Sequence, residues 1–267
     1  MNSDPSRSKP RARWPAPVLG ALGVLVFLTV WEVGPRAGVV DATYLPPFSD
    51  VAVEFVSLLG VADFWGATAD TMRSWLIGLV LSLVAGIALG FAIGSSRFVR
   101  RYTSSTIEFL RPIPSVALIP IAIVLFSIRP SATVFVVVWA CFWVILIHVI
   151  AGVADVDPVG DATARSYGLR WFRRARHVVW PTVLPYLMTG VRLSATIALV
   201  VAITIELVVS TPGIGDLIAT NQSAGNVETV YALALVTGFL GVVINLAMRR
   251  LENAVLSWHP SVREEAA

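Results

Sequence analysis

Five arginines, Arg165, Arg170, Arg173, Arg174 and Arg176, crowd the stretch Asp161–Pro181, which reads DATARSYGLRWFRRARHVVWP. Long apolar runs flank it on both sides. Guanidinium groups make charge-assisted, often bidentate hydrogen bonds to carboxylates and phosphates. The chemistry on offer is therefore recognition. The other reactive side chains suggest no bond-making either. His148, His177 and His259 are scattered without metal-ligand spacing, so no metal site is expected. Cys141 is the sole cysteine and sits in an apolar run, which excludes an internal disulfide and a thiolate cluster. No nucleophile–base set or pair of catalytic carboxylates stands out, so the chain is not expected to be an enzyme. A nucleotide-hydrolysing P-loop needs G-x-x-x-x-G-K-[ST], and the single lysine, Lys9, lies in a Ser/Pro/Arg tail. Any ATP would be bound by a partner subunit, and no cofactor is expected in this chain.

The elements that must position the arginine stretch are greasy ones. The 267 residues are 56% hydrophobic and 14% charged, with a mean hydropathy of +0.77. A soluble domain has about a quarter of its residues charged, so this is an integral membrane protein set in a lipid bilayer. Residues 1–15 are a basic, Pro-rich tail expected to be disordered. Six spans follow, at about 16–34, 67–95, 104–127, 131–151, 181–208 and 228–249. The first lacks a clear small-x-small cleavage site after Trp31-Glu32-Val33, so it is expected to stay as a span. Between spans one and two, 51–59 reads as a short amphipathic helix along the interface. Gly78, Ser82, Gly86, Gly90 and Gly94 recur every four residues in the second span, a stripe that lets helix backbones approach closely in lipid. Arg97–Arg101 reads as a basic turn. Pro112, Pro114 and Pro120 interrupt the third span, and irregular backbone at membrane depth is tolerated only against protein or a watery cavity. That puts Pro112 and Pro114 against protein or a watery cavity. The fourth span, rich in Val, Ile and Trp, reads as largely lipid-facing. Residues 209–227 form a Gly-rich loop with a short helix at 214–221.

Charge placement supports this span count. Alternating sides give fifteen Lys and Arg residues to one face, including Arg7, Lys9, Arg97, the five elbow arginines and Arg249-Arg250, and only Arg36 and Arg129 to the other. The positive-inside rule places both termini and the arginine stretch in the cytoplasm. Charges inside spans mark function by default. Arg111 and Arg192 can reach the inner interface. Glu206 is too short to do so; it is expected to pair with Arg73 or to shape an outer gate near the Gly213–Gly215 loop.

The arginine stretch itself reads as a helix-turn-helix elbow. Asp157 is an N-cap and Pro158 the first helical residue. Gly168 ends the first short helix in a left-handed turn, and a second helix, about 170–179, leads to Pro181. A basic loop that only fixes orientation is the bland reading; a docking surface for a cytoplasmic partner is the sharper one.

The same residues carry a resemblance. Ala162-Thr163-Ala164, Gly168, Val178 and Trp180-Pro181 fit, without a gap, the pattern E-A-A-x-x-x-G-x9-I-x-L-P of bacterial ABC importer permeases. The glutamate is missing, and Asp161 lies one position away. Leu110–Pro114, Ala151-Gly152-Val153 with Asp157-Pro158, and Glu206 followed by Gly213-Ile214-Gly215 extend the match over roughly residues 68–258. The set resembles the nitrate/sulfonate/taurine-type branch of these permeases.

That resemblance implies an all-α fold, a type I ABC importer permease-like bundle of six transmembrane helices with a cytoplasmic coupling helix. It implies residence in the bacterial cytoplasmic membrane. Residues 16–66 would hold the first span and an extracytoplasmic segment, residues 67–258 the core with its coupling loop at 152–180, and residues 259–267 a cytoplasmic tail. The partners implied are a second copy of the chain, two ATP-binding cassette ATPases and a substrate-binding protein, with no nucleic acid. Asp161, Ala162, Thr163, Ala164, Tyr167, Gly168, Leu169 and Arg170 would couple to the ATPase. Arg73, Pro112, Pro114, Glu206, Gly213 and Gly215 would line a path or gate. The implied cargo is a small anion such as a sulfonate, taurine or nitrate. A thiamine-pyrimidine precursor or riboflavin-like compound stays open. An ion-coupled secondary transporter is the rival of another class, although the spans lack a central Asp or Glu and show no repeated half.

Overall fold

A computed structural model of the chain describes residues 16–258; the tails 1–15 and 259–267, with Arg7, Lys9, Arg11, Arg13 and Arg263, lie outside the described residues. Every regular element among the described residues is helical. In order they are α1 (Ala16–Arg36), α2 (Phe48–Leu58), α3 (Ala62–Gly94), α4 (Arg97–Leu110), a 3₁₀ turn (Ser115–Leu118), α5 (Ile119–Phe126), α6 (Pro130–Ala154), α7 (Pro158–Ser166), α8 (Trp171–Arg174), a π-helical turn (Ala175–Val179), α9 (Trp180–Val209), α10 (Ile214–Ala224) and α11 (Val227–Val255). Five of these stretches are long and apolar enough to cross a membrane, and the bent segment from α4 to α5 makes a sixth.

The centre is a three-helix sandwich of α3, α6 and α9. The small-residue stripe of α3 meets the Val and Ile residues of α6 at matching four-residue steps. Gly78 faces Val137, Gly86 faces Ile145, Gly90 faces Val149 and Gly94 faces Val153. Both number series rise together, so the two helices run parallel. A Cβ on Gly90 would lie 2.7 Å from Val149, closer than carbon atoms pack. In lipid there is no hydrophobic gain from helix association, so close van der Waals packing over small residues must hold the pair. Helix α9 runs antiparallel to α6: Gly190 lies against His148, and Gly152 against Val183 and Tyr186. Ala195, Ala198, Ala202 and Ile205 complete the buried seam.

Several expectations are corrected by the structure. The fourth span is not lipid-facing: α6 is wedged between α3 and α9, with Val136, Val137, Cys141, Ile145 and Val149 fully buried. Its apolar composition all the way round is that of a helix enclosed by other helices. The basic turn at Arg97–Arg101 is the first part of α4. That helix has no buried residue, and Ser96 caps it through a hydrogen bond from the Val99 amide. The third span is therefore a broken one, turning by 81° at the prolines between α4 and α5. Finally, Pro181 does not end a helix. The π-helical turn just before it widens the backbone, so the ring is accommodated and the chain continues from α8 into α9. The last span likewise runs on past Arg249-Arg250 to Val255.

At the opposite end from the elbow, α2, α10 and α11 pack together around Val51, Leu58, Phe64, Ile214 and Leu233. Helix α2 is thus docked on protein and not laid along the interface alone. Helix α1 leans on this end through Trp31, whose ring lies 5.4 Å from Phe48 and 6.0 Å from Tyr231. Most of α1 from Val18 to Val30 is exposed.

Candidate functional site

Two polar clusters stand at opposite ends of the bundle. The first is the elbow. Asp157 caps α7, accepting hydrogen bonds from the amides of Val159 (2.9 Å) and Gly160 (3.1 Å). Pro158 fills the first helical position, where its missing N–H costs nothing. At the other end Gly168 has φ +71. Its amide donates to the Arg165 carbonyl and the Leu169 amide to the Ala164 carbonyl, the doubly bonded glycine stop that satisfies the last carbonyls of a helix. Both ends of α7 are therefore fixed by the residues that the sequence indicated.

What the sequence did not disclose is the brace between the arms. Asp161 forms ion pairs with Arg165 of its own helix (2.6 Å) and with Nε of Arg174 on α8 (2.8 Å). Its carboxylate is turned inward onto the elbow and largely covered. Asp161 is thus held within the elbow and is not presented on its outward face. The outward face is formed by Ala162, Thr163, Tyr167 and Arg170, all exposed, with Tyr167 at 82%. Ala164 and Leu169 point back into the elbow, Ala164 buried and Leu169 half-buried.

The second cluster surrounds Glu206, which is fully buried near the end of α9. The Thr71 hydroxyl of α3 donates to its Oε2 (2.7 Å), and the Gly215 amide donates to the same oxygen (3.2 Å). Thr71 in turn accepts from the Ile214 amide (2.9 Å). One carboxyl group and one hydroxyl thus receive the first amides of α10 and fasten that helix to α3 and α9. Gly213 and Gly215 are required by space: a Cβ on Gly213 would strike the Glu206 carboxyl group, and one on Gly215 would strike the Ile203 carbonyl. Beside them Thr133 of α6 and Thr211 share a buried hydrogen bond of 3.0 Å. Glu206, Gly213 and Gly215 therefore come together as expected. Arg73 does not join them. It lies two residues past Thr71, about 200° around the helix, and faces outward. Thr71 was legible only indirectly. Ser74 extends the small-residue stripe one step before Gly78, and Thr71 lies one turn earlier on the same buried side.

Pro112 and Pro114 stand in the break between α4 and the 3₁₀ turn. Arg192 pairs with Glu252 at 3.4 Å, while Arg111 closes α4 and is exposed. Cys141 is buried, its thiol directed to the Ser194 carbonyl.

Residues 78–257 match the family model described as the binding-protein-dependent transport system inner membrane component. The chain belongs to that family. Among its relatives is the putative aliphatic sulfonates transport permease protein SsuC of Bacillus subtilis, 25% identical over 97% of this chain and 94% of that one. The taurine transport system permease protein TauC of Escherichia coli is 28% identical over 94% of each chain. The bicarbonate transport system permease protein CmpB of Synechococcus elongatus is 27% identical over 90% of this chain and 89% of its own. Of solved structures, a bacterial ABC transporter for import of alginate superposes with a TM-score of 0.65 at 13% identity, over 90% of this chain and 95% of that one. The inward-facing MetNI methionine ABC transporter gives 0.58 at 21% identity, over 72% and 93%. The fold is that of an ABC importer permease, and the chain is the transmembrane permease component of such an importer.

Proposed function

We propose that this permease imports a small anion of the sulfonate, taurine or bicarbonate kind, as a homodimer driven by two ATPase subunits. The elbow is its coupling lever. ATP binds to the partner ATPases, and a binding protein delivers the cargo from outside. The chain has no catalytic step of its own. Both termini and the elbow face the cytoplasm of a bacterial cell.

The observation that carries this reading is the elbow. A lever must be stiff, anchored and accessible. Here α7 is capped at both ends, exposed along Ala162, Thr163 and Tyr167, and braced by Asp161 to α8, which runs on through the π-helical turn into α9. A push on that surface is delivered to the longest buried seam of the bundle. Charge placement supports the orientation: Arg97, Arg100 and the elbow arginines gather at one end of the bundle. The cargo class is supported by relatives that match this chain nearly end to end and are named for anions or a zwitterionic sulfonate. Glu206, Gly213 and Gly215 act as the fastening of an outer gate, and the broken span at Pro112 and Pro114 lines the path.

The test is transport. The permease is reconstituted with its ATPase and binding protein in liposomes and offered taurine, an alkanesulfonate, nitrate and bicarbonate. Uptake of one of these that requires ATP hydrolysis is the expected result. Uptake driven by a proton or sodium gradient without the ATPase would overturn the reading.

A further inference from the structure

A cleft of about 1450 Å³ opens between the elbow and the nearby ends of α3, α4 and α6. It has two chemically distinct parts. Its apolar floor includes Ile87 and Phe91 of α3, Val153 of α6 and Trp180 of α9. The rings of Phe91 and Trp180 stack there with centroids 5.8 Å apart and planes 17° apart. These residues stand in the last two turns of α3, the last turn of α6 and the first of α9, so the floor lies where the apolar spans meet the elbow. The rim is basic. Arg97 and Arg100 come from the first turn of α4, and Arg165, Arg174 and Arg176 from the elbow.

One acid, Asp161, lines the cleft, and Arg165 and Arg174 already share it. Five arginines against one aspartate leave four positive charges at the rim. Among the described residues Arg97, Arg100 and Arg176 are in no ion pair. Trp171 and Phe172 border the same opening and are exposed, in keeping with aromatic rings at the headgroup level of a bilayer. A soluble anion would use the rim and leave the floor bare. An acidic protein surface could cover the rim but could not follow the floor down between the helices. An amphiphile with a negative head and a hydrocarbon tail satisfies both parts, and basic clefts at the cytoplasmic ends of membrane helices are suited to such headgroups.

We propose that this cleft binds one anionic phospholipid from the leaflet on the elbow side. Its phosphate lies among Arg97, Arg100 and Arg176, and an acyl chain runs along Phe91 and Trp180. The lipid would bridge α3 and α4 to the elbow, so that leaflet charge adjusts how firmly the lever is seated. The inference needs the orientation proposed above but not the identity of the cargo.

The test uses the permease complexed with its ATPase, in nanodiscs of phosphatidylcholine with or without phosphatidylglycerol. Lipid that stays bound after delipidation is counted by native mass spectrometry. Phosphatidylglycerol should be retained in preference to phosphatidylcholine. The double variant Arg100→Gln with Arg176→Gln should retain roughly tenfold less. Arg129→Gln, the same charge change at the other end of the bundle, should leave retention unchanged. Arg100→Lys with Arg176→Lys keeps the charge and should hold the lipid. Equal loss in the lysine and glutamine pairs would point to damaged folding in place of charge recognition and overturn the proposal. Unchanged retention in the glutamine pair would also overturn it. So would displacement of the lipid by millimolar inorganic phosphate, which would make the site one for free anions. Cross-linking that finds the cleft covered by the ATPase and empty of lipid would make it a protein contact. Failure of taurine or sulfonate uptake would bear on the cargo and leave this outcome untouched.

Discussion

Gly168 ends α7 by a single backbone angle. Its φ of +71 suits glycine, and no atom lies within 4 Å of the place a Cβ would occupy. A side chain there meets no clash, so its whole cost is conformational, roughly 1–2 kcal/mol for a residue forced left-handed. That is too little to unfold the bundle but enough to release the end of α7. Gly168→Val should therefore insert normally and hydrolyse ATP with its partner while uptake falls several-fold. Uptake at the normal rate would remove the lever role. At the other end Thr71 both gives and receives within a buried network. Thr71→Val keeps the shape and deletes the hydroxyl, leaving the Ile214 amide and Glu206 each one partner short. The cost is about 1–3 kcal/mol for such a loss. A thermal unfolding assay in detergent should show a clear fall, whereas Arg73→Gln should have little effect, because Arg73 is exposed and outside the network.

The brace between α7 and α8 is an element-scale device. The Asp161–Arg174 pair is partly exposed, and such pairs contribute about 0–1 kcal/mol to stability. Its importance is geometric: it sets the angle between the two arms. Asp161→Asn and Arg174→Gln should each reduce coupled uptake with little change in melting temperature. The double variant should be no worse than either single one; additive losses would mean that the two residues act separately. The α3–α6 contact is the opposite case, where space and not charge decides. Gly90→Leu would push into Val149, and overpacking of this kind costs roughly 1–3 kcal/mol. Lower yield of folded protein is expected, while Gly66→Ala, with nothing within 4 Å of its Cβ position, should be neutral.

The whole molecule has to present its two clusters to opposite sides of the bilayer. The elbow opens α9 and the Glu206 cluster closes it, and α9 at 30 residues is long enough to span at about 1.5 Å per residue. Cysteine replacements at Thr163 and at Ser223, both exposed, should react with a membrane-impermeant maleimide from opposite faces, Thr163→Cys only after the cytoplasmic side is opened. Labelling of both from one side would refute the span count. The exposed lengths of α1 and of α5, where Val124 is 84% exposed, leave apolar surface for lipid or a second copy, which fits the proposed homodimer.

Much of this was legible along the chain. The apolar runs, the small residues every four positions, Asp157-Pro158 and Gly168 are local signals. Their effects depend on residues within one or two turns, so order and spacing alone determined the approximate spans and both caps of the elbow. The three-dimensional fold alone decided the rest. It decided that α6 is enclosed, because a Val- and Ile-rich helix reads the same against lipid as against protein. It decided that Asp161 turns to Arg174 and Glu206 to Thr71, because such partners lie up to 135 residues away, and which side chain meets which depends on helix rotation. And it decided that Pro181 leaves the helix unbroken, because one π-helical turn can absorb what a regular helix cannot.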